Sequence, residues 1–339
     1  MRAIVYTETG GPEVLRLVER ADPEPGRGEV LVRVAVSGVN PTDWKARRGS
    51  GPGQRPAFSE VVPNQDGAGT IVATGADVDT ARVGERVWLW EAAWHRADGT
   101  AQELVVLPAS HAAPLPEGAS FDLGAGLGIP ALTAHRCLTV GFDGPASLGA
   151  RALEGRTVLV AGGAGAVGHA AIELAVWSGA TVITTVSSPE KAVLASAAGA
   201  HHVVNYRAQE TEPAVRAAAP GGIDVIVEVA PVANAALDAS VIAPNGTVSI
   251  YASGPDDLAI ASGPAMTTNT RYQFVLVYTM PAAAKEQAVR DVQEAVAAGA
   301  LRVGAEAGLP LHRFPLERTA EAHAAVEGNA VGKVLIDVG

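Results

Sequence analysis

Hydrophobic residues follow two different periods along this chain, and the change of period divides it. From Met1 to about Leu107, apolar residues come in short runs at Ala3 to Tyr6, Leu15 to Glu19, Val30 to Val39, Gly69 to Thr74, Arg86 to Leu89 and Ala101 to Val106. Clusters such as Gly10-Gly-Pro12 and Pro23-Glu-Pro-Gly26 separate them. Short alternating runs with turn residues between them predict a mainly β domain. From Phe121 the spacing becomes helical. From Thr157 to about Ile250, strand patterns at Val158 to Val160, Val182 to Val186, His202 to Asn205, Asp224 to Glu228 and Thr247 to Tyr251 alternate with helical ones. Such alternation predicts a parallel sheet with helices on both faces. A strand at Tyr272 to Tyr278, a helix through Lys285 to Ala298, the segment Glu317 to Glu327 and a closing strand at Lys333 to Val338 follow. With the two ends of the chain expected to fold together, the predicted domains are 1–126 with 271–339, and 127–270.

Between the first strand and helix of the alternating part stands Gly162-Gly-Ala-Gly-Ala-Val-Gly168. Gly163, Gly165 and Gly168 fit G-x-G-x-x-G, in which the first glycine permits a tight turn, the second lets backbone approach a pyrophosphate and the third lets helix pack on strand. The helix then presents free N–H groups to phosphate. Strand, turn, helix and second strand occur in the order this reading requires. About twenty residues on, where an acid would bind the ribose hydroxyls of NAD, the chain reads Val186-Ser-Ser-Pro-Glu-Lys191. Ser187, Ser188 and Lys191 offer hydroxyls and a cation suited to a 2′-phosphate, so the expected cofactor is NADPH.

A length of 339 residues supports two domains, and a formal net charge of −11 argues against nucleic acid or an anionic membrane as partner. No run of about 18 apolar residues is present and the N-terminus enters a strand pattern at once, so a cytoplasmic protein with no membrane partner is expected. Cys137 is the single cysteine, which excludes an intrachain disulfide and a cysteine-rich zinc site, and its helical context assigns it to packing. Three of five tryptophans, Trp88, Trp90 and Trp94, cluster within seven residues. They either line a flat substrate pocket or, since Trp88 and Trp90 share a strand face, belong to the core.

Several motifs carry a resemblance across essentially the whole chain: Val39-Asn-Pro-Thr-Asp43, Asn64-Gln-Asp-Gly-Ala-Gly-Thr-Ile71, Val83-Gly-Glu-Arg-Val87, Pro130-Ala-Leu-Thr-Ala134, the glycine turn, Asn205-Tyr-Arg207 and Val331-Gly-Lys-Val-Leu335. In this order they resemble the medium-chain dehydrogenase/reductase superfamily, and within it the zinc-independent quinone oxidoreductases, the group that includes zeta-crystallin. The resemblance implies an α/β fold: a Rossmann doubly wound parallel sheet domain plus a GroES-like, mainly β barrel catalytic domain. Alcohol dehydrogenases of the superfamily place a Cys where this chain has Asn40 and a His-Glu pair where it has Gln65 and Asp66, so no metal is expected.

The resemblance further implies Asn40 and Asp43 near the substrate and Thr133 near the nicotinamide ribose. Asn40 and Asp43 read equally as turn chemistry, with Asp43 the N-cap of a short helix from Trp44 to Arg47, and Thr133 as a helix residue bonding back to a carbonyl. For the cofactor it implies Ala164, Gly165, Ala166 and Val167 at the pyrophosphate, and Ser187, Ser188, Lys191 and Tyr206 at the 2′-phosphate end. Tyr251, Ala252, Ser253, Phe274, Val275 and Leu276 follow along the ribose and nicotinamide, and Lys333 reaches in from the other domain. The expected activity is NADPH-dependent hydride transfer to a quinone or an activated alkene such as an enone. The alternatives are an enoyl-thioester or 2-alkenal reductase, for which Lys45, Arg47 and Arg48 supply a basic rim, and a non-catalytic NADPH-binding sensor or structural protein. A homodimer is expected, with the apolar strand after Thr270 as an edge that invites pairing.

Overall fold

The structure, a computed structural model, describes every residue except Phe142 and Pro255. In chain order the elements are β1 (Arg2–Val5), β2 (Arg16–Glu19), β3 (Glu29–Val39), α1 (Pro41–Arg48), β4 (Asp66–Thr74), β5 (Arg86–Leu89), β6 (Leu104–Pro108), β7 (Ala112–Pro114) and α2 (Phe121–Thr139). Next come β8 (Thr157–Ala161), α3 (Ala166–Trp177), β9 (Thr181–Val186), α4 (Pro189–Ala197), β10 (His202–Asn205), α5 (Thr211–Ala218), β11 (Ile223–Glu228), α6 (Pro231–Val241), β12 (Ile242–Ile250), α7 (Ser262–Thr267), β13 (Arg271–Phe274) and α8 (Ala282–Ala297). The chain closes with β14 (Leu311–Pro315), α9 (Thr319–Glu327) and β15 (Lys333–Asp337). No helix among the described residues is long and apolar enough to cross a membrane.

Two compact units result, Met1–Ile129 with Leu311–Gly339, and Pro130–Pro310. The first is built on a sheet of order β14-β15-β3-β4-β5-β7, with β6 also paired to β3, beside a separate β1-β2 pair. The long strand β3 organises it, because antiparallel pairing with β15, β4 and β6 occupies both of its edges. Its period-two pattern buries Val30, Val32 and Val34 against Ile71, Val87, Val105, Leu107, Val334 and Ile336 while Arg33 is exposed. Each valine taken fully from water contributes roughly 1.5–3 kcal/mol, so the alternation read from sequence is also what holds this unit together.

The second unit is a six-stranded sheet of order β10-β9-β8-β11-β12-β13, every neighbouring pair parallel. Chain order runs outward from β8 in one direction and from β11 in the other. That reversal makes a switch point, and sheets of this kind bind ligands outside the carboxyl ends of the strands there. Helix covers the central strands on both faces, which is why Val158, Leu159 and Val160 are all buried instead of alternating.

Residue 271 does not mark a return to the first unit. β13 pairs in parallel with β12, from Thr247 opposite Arg271 to Ile250 opposite Phe274, so the chain stays in the second unit until Leu311. The expected strand Tyr272 to Tyr278 is also shorter. β12 ends at Ile250, its carbonyl takes one last bond from Val275 N–H, and the chain then folds into a 3-10 turn at Val277–Thr279.

Candidate functional site

In the second unit, the residues expected at a dinucleotide gather at one edge of the sheet. Gly163 to Gly168 follows β8, Ser187, Ser188 and Lys191 follow β9, Tyr206 follows β10, Tyr251 to Ser253 follows β12, and Phe274 to Leu276 ends and follows β13. All of these are carboxyl ends of parallel strands. The glycines are there for space. A Cβ on Gly163 would lie 2.1 Å from Thr184 Oγ1, and one on Gly168 would lie 2.4 Å from the Gly162 carbonyl oxygen. A Cβ on Gly165 would meet nothing nearer than 3.5 Å, so the outer side of the turn is open. Gly165 caps α3 with extended backbone and no side-chain hydrogen bond, and the first intrahelical bond is His169 N–H to Gly165 O at 2.8 Å. The N–H groups of Ala166, Val167 and Gly168 therefore precede any intrahelical partner and form a ready anion site.

At the next strand end, Ser188 caps α4 by accepting from Lys191 N–H at 3.3 Å, and Lys191 Nζ donates to Ser187 Oγ at 3.0 Å. The cation and hydroxyl expected at a 2′-phosphate are thus in contact, and Tyr206 is half-exposed at the neighbouring strand end. Tyr206 N–H is bonded to Val186 O at 3.1 Å, which ties the two strand ends together. Phe274 and Leu276 are 64% and 54% exposed, whereas Val275 is buried. Thr133 is buried on the part of α2 that belongs to this unit. A nicotinamide dinucleotide fits this edge: open backbone at Gly165, free helix N–H groups and a cation at the second strand end.

The first unit holds a buried polar cluster. Asn40 precedes α1, and its backbone N–H donates to Asp43 Oδ2 at 2.7 Å, while Gln65 N–H donates to Asp43 Oδ1 at 3.1 Å. Asn40, not Asp43, is the cap residue; Asp43 stands three positions into the helix and reaches back. Asn40 Nδ2 donates to Asp66 Oδ2 at 2.6 Å, and Lys333 Nζ donates to Asn40 Oδ1 at 2.7 Å, with Asp66 Oδ2 at 3.5 Å. The Ile129 N–H donates to Asp66 Oδ1 at 2.9 Å. Glycines make the room: a Cβ on Gly128 would fall 2.0 Å from Asp66 Oδ1, and one on Gly38 would fall 2.0 Å from Ala125 O and 3.1 Å from Lys333 Cε.

Burial pushes the Asp43 carboxyl up, and the nearby Asp66 carboxylate pushes it further. Burial raises Asp66 as well, against the opposing pull of Lys333, and lowers Lys333 against the pull of both carboxylates. Two carboxylates face one ammonium, so the cluster favours holding an extra proton. Lys333, 1% exposed, has its ammonium hydrogen-bonded within this cluster. Gln65 and Asp66 were expected only as replacements for metal ligands, yet Asp66 is the centre of this polar cluster. The glycines around it in Asp66-Gly-Ala-Gly69 were the available signal.

A hydrogen-bonded chain leads away from the cluster. Thr100 Oγ1 donates to the Asp66 main-chain oxygen at 2.5 Å, so Ser37 Oγ, 2.7 Å away, must donate to Thr100. Asn64 Nδ2 donates to Ser37 at 2.9 Å, and His323 Nε2 meets Asn64 Oδ1 at 2.9 Å. Every member is therefore oriented, and His323 carries its proton on Nε2.

Two further expectations change. Trp88 has no exposed surface and belongs to the core; Trp90 is buried and stacks on His111 at 4.1 Å; only Trp94 is partly open, with its ring 4.3 Å from that of His95. Of the basic trio, Arg47 is fully buried and bonded to Glu327 at 2.8 Å, and Arg48 lies 3.3 Å from the same carboxylate. Half-amphipathic spacing on α1 turned Arg47 inward, which removes it from any basic rim.

A Rossmann unit with an open phosphate turn, joined in one chain to a GroES-like β unit, defines an oxidoreductase that uses a nicotinamide cofactor. Family models match accordingly: an alcohol dehydrogenase GroES-like domain over residues 26–117 and a zinc-binding dehydrogenase domain over residues 166–303. The chain is 31% identical over 342 residues to the quinone oxidoreductase of Rattus norvegicus, covering 99% of this chain and 97% of that protein. Among solved structures it is similar to an NAD-dependent alcohol dehydrogenase, with TM-score 0.85, 27% identity and full coverage of both chains. A mycobacterial protein solved with NADPH gives TM-score 0.81 at 28% identity, covering 99% of each chain. The chain belongs to the quinone oxidoreductase family of the medium-chain dehydrogenase/reductase superfamily.

The description of the second family model names zinc, and the residues present do not fit that metal. At the positions where alcohol dehydrogenases carry their Cys and His-Glu ligands, this chain offers two amides and one carboxylate, and the ammonium of Lys333 lies against Asn40 and Asp66. Zinc takes three or four N, S or O donors and prefers thiolate, imidazole and carboxylate. Among the described residues no group of three or more His, Cys, Asp or Glu could hold a metal ion.

Proposed function

We propose that this enzyme is an NADPH-dependent reductase of quinones or activated alkenes. The observation that carries the reading is the Lys191–Ser187 contact, 3.0 Å, directly after β9, where the strand ends on Val186-Ser187 and the nearest acid, Glu190, is turned to the Ser188 hydroxyl. NADPH supplies a hydride from its nicotinamide C4; together with one proton from solvent it converts a quinone to a hydroquinone or an enone to a ketone. The N–H groups of Ala166, Val167 and Gly168 bind the pyrophosphate, Lys191, Ser187 and Ser188 bind the 2′-phosphate, and Tyr206 flanks the adenine end. Asn40 donates a hydrogen bond to the substrate oxygen that gains negative charge, and Thr133 contacts the nicotinamide ribose. The burial of Arg47 weighs against a coenzyme A thioester, whose phosphates need a basic rim.

NADPH oxidation across quinones, enones and enoyl thioesters, repeated with NADH, tests this. Turnover of quinones or enones with a preference for NADPH supports it, and turnover of thioesters alone overturns it. We further propose that two copies pair through β13, the last strand of its sheet, with exposed Phe274 and Leu276 beside it. Sedimentation at micromolar concentration should show a dimer, and a double substitution of Phe274 and Leu276 to Lys should give monomer.

A further inference from the structure

Three buried titratable groups, Asp43, Asp66 and Lys333, and one buried amide meet in the GroES-like unit, and the proposed reaction uses only the amide. Asp66 and Lys333 hold opposite ends of the same side chain: Asn40 Nδ2 donates to Asp66 Oδ2 at 2.6 Å and Asn40 Oδ1 accepts from Lys333 Nζ at 2.7 Å. Turning the amide over would set its oxygen against a carboxylate and its N–H groups against an ammonium. Both contacts would then repel, so the charges permit one orientation. We propose that Lys333 is a positioning residue for Asn40: its ammonium, anchored by Asp66, locks the amide so that the second Nδ2 hydrogen is the donor offered to the substrate oxygen. This rests on the reading of Asn40 as a substrate contact.

Stability does not account for the arrangement. Replacing a buried ion pair with uncharged residues of similar volume is often neutral or stabilising, whereas removing one partner is strongly destabilising. Glycine at 128 leaves room for the Asp66 carboxylate, and glycine at 38 lets β3 approach the Ala125 carbonyl of α2 beside Lys333. The same logic says what loss of Lys333 does. Asp66, fully buried and without its cation, takes up a proton. A protonated carboxyl can donate to Asn40 Oδ1, so both orientations of the amide become available. Lys333 thus supplies the positive charge of a site whose donor set does not suit a metal.

Steady-state kinetics with NADPH and a quinone test the proposal, with Lys333→Met, the paired Lys333→Met with Asp66→Asn, and Asn40→Ala measured beside the wild type. In Lys333→Met, kcat should fall on the order of 10²-fold with the KM for NADPH unchanged. Its kcat should rise again with pH as Asp66 regains its carboxylate, a limb absent from the wild-type profile. The paired variant, uncharged at both positions, should recover the melting temperature but not kcat, and it decides the matter if the single variant does not fold. A Lys333→Met enzyme with wild-type kcat and pH profile, or a paired variant whose kcat returns with its melting temperature, overturns the proposal. Asn40→Ala separates the two layers. If its kcat equals that of the wild type, the substrate role of Asn40 fails and the proposal falls with it; if only Asn40→Ala is impaired, the proposal alone falls.

Discussion

Gly165 and Gly168 stand three residues apart in one turn, and single methyl groups placed on them should have opposite effects. Gly165 has φ −83° and ψ 162°, a conformation any L-residue adopts, and an added Cβ would meet its nearest atom, Gly162 O, at 3.5 Å. Gly165→Ala therefore fits the protein without cofactor, and the stiffer unfolded chain favours folding by roughly 0.4–1 kcal/mol. The methyl stands, however, where a pyrophosphate must approach the N–H groups of Ala166 and Val167. Loss of one hydrogen bond to a charged group costs about 1.5–3 kcal/mol, or roughly 10- to 150-fold in Kd. Gly168→Ala does the reverse. Its Cβ would fall 2.4 Å from Gly162 O and 3.0 Å from Gly163 Cα, and these are backbone atoms that cannot rotate away. Overpacking of that kind costs about 1–3 kcal/mol, which lowers Tm by roughly 2–12 °C for a domain of this size. Thermal melts without cofactor and fluorescence titration with NADPH measure both quantities. Wild-type NADPH affinity in Gly165→Ala would refute the pyrophosphate assignment. A cofactor-free Tm as low in Gly165→Ala as in Gly168→Ala would refute the steric reasoning.

Other perturbations have equally definite outcomes. Lys191→Ala should raise the KM for NADPH about 10- to 150-fold and leave that for NADH unchanged; an equal effect on both would remove Lys191 from the 2′-phosphate site. Burial, with Glu228 nearby, pushes the Asp238 carboxyl up to about 8, and its Oδ1 has no partner. The folded state therefore holds a proton that the unfolded state releases near pH 3.8, and stability is lost as pH rises from there through about 8. The Tm advantage of Asp238→Asn over wild type should grow between pH 5 and pH 9, and a constant difference would show that Asp238 does not titrate there. Burial and the Arg47 charge hold His323 down at about 3, against 6.5 when unfolded. Stability should accordingly fall as pH drops below 6.5, as read by urea midpoints, and His323→Gln should flatten that limb.

The fold was legible because its two periods are local. Val30, Val32 and Val34 are buried while Leu31, Arg33 and Ala35 between and beside them are not, Val158 to Val160 are buried without a break, and each pattern reports how many faces of a strand are covered. The boundary at 271 was not legible, since a short apolar strand looks the same whether it joins an antiparallel sheet or extends a parallel one. Only its pairing with β12 decides. At the cofactor edge, Gly163 to Gly168 and Ser187 to Lys191 lie close in sequence, so spacing alone described them. The polar cluster assembles Asn40, Asp66, Ile129 and Lys333 from four distant segments. Its hydrogen bonds to Asp66 and Lys333 join residues at least 26 positions apart, and an ammonium buried beside a carboxylate leaves no periodic trace. Trp88 and Trp90 were ambiguous for a related reason: a shared strand face says that two rings lie on one side, and packing decides whether that side is open.

The oriented chain from His323 to Thr100 has a further meaning for proton traffic. Its last hydroxyl ends on the main-chain oxygen of Asp66, not on the carboxylate. A carbonyl oxygen cannot accept a proton and pass it on, so the relay from His323 through Asn64, Ser37 and Thr100 is a closed end and not a wire. The chain fixes geometry on one flank of Asp66 and insulates it there. The carboxylate itself faces Asn40 and Lys333 at one oxygen and the Ile129 N–H at the other.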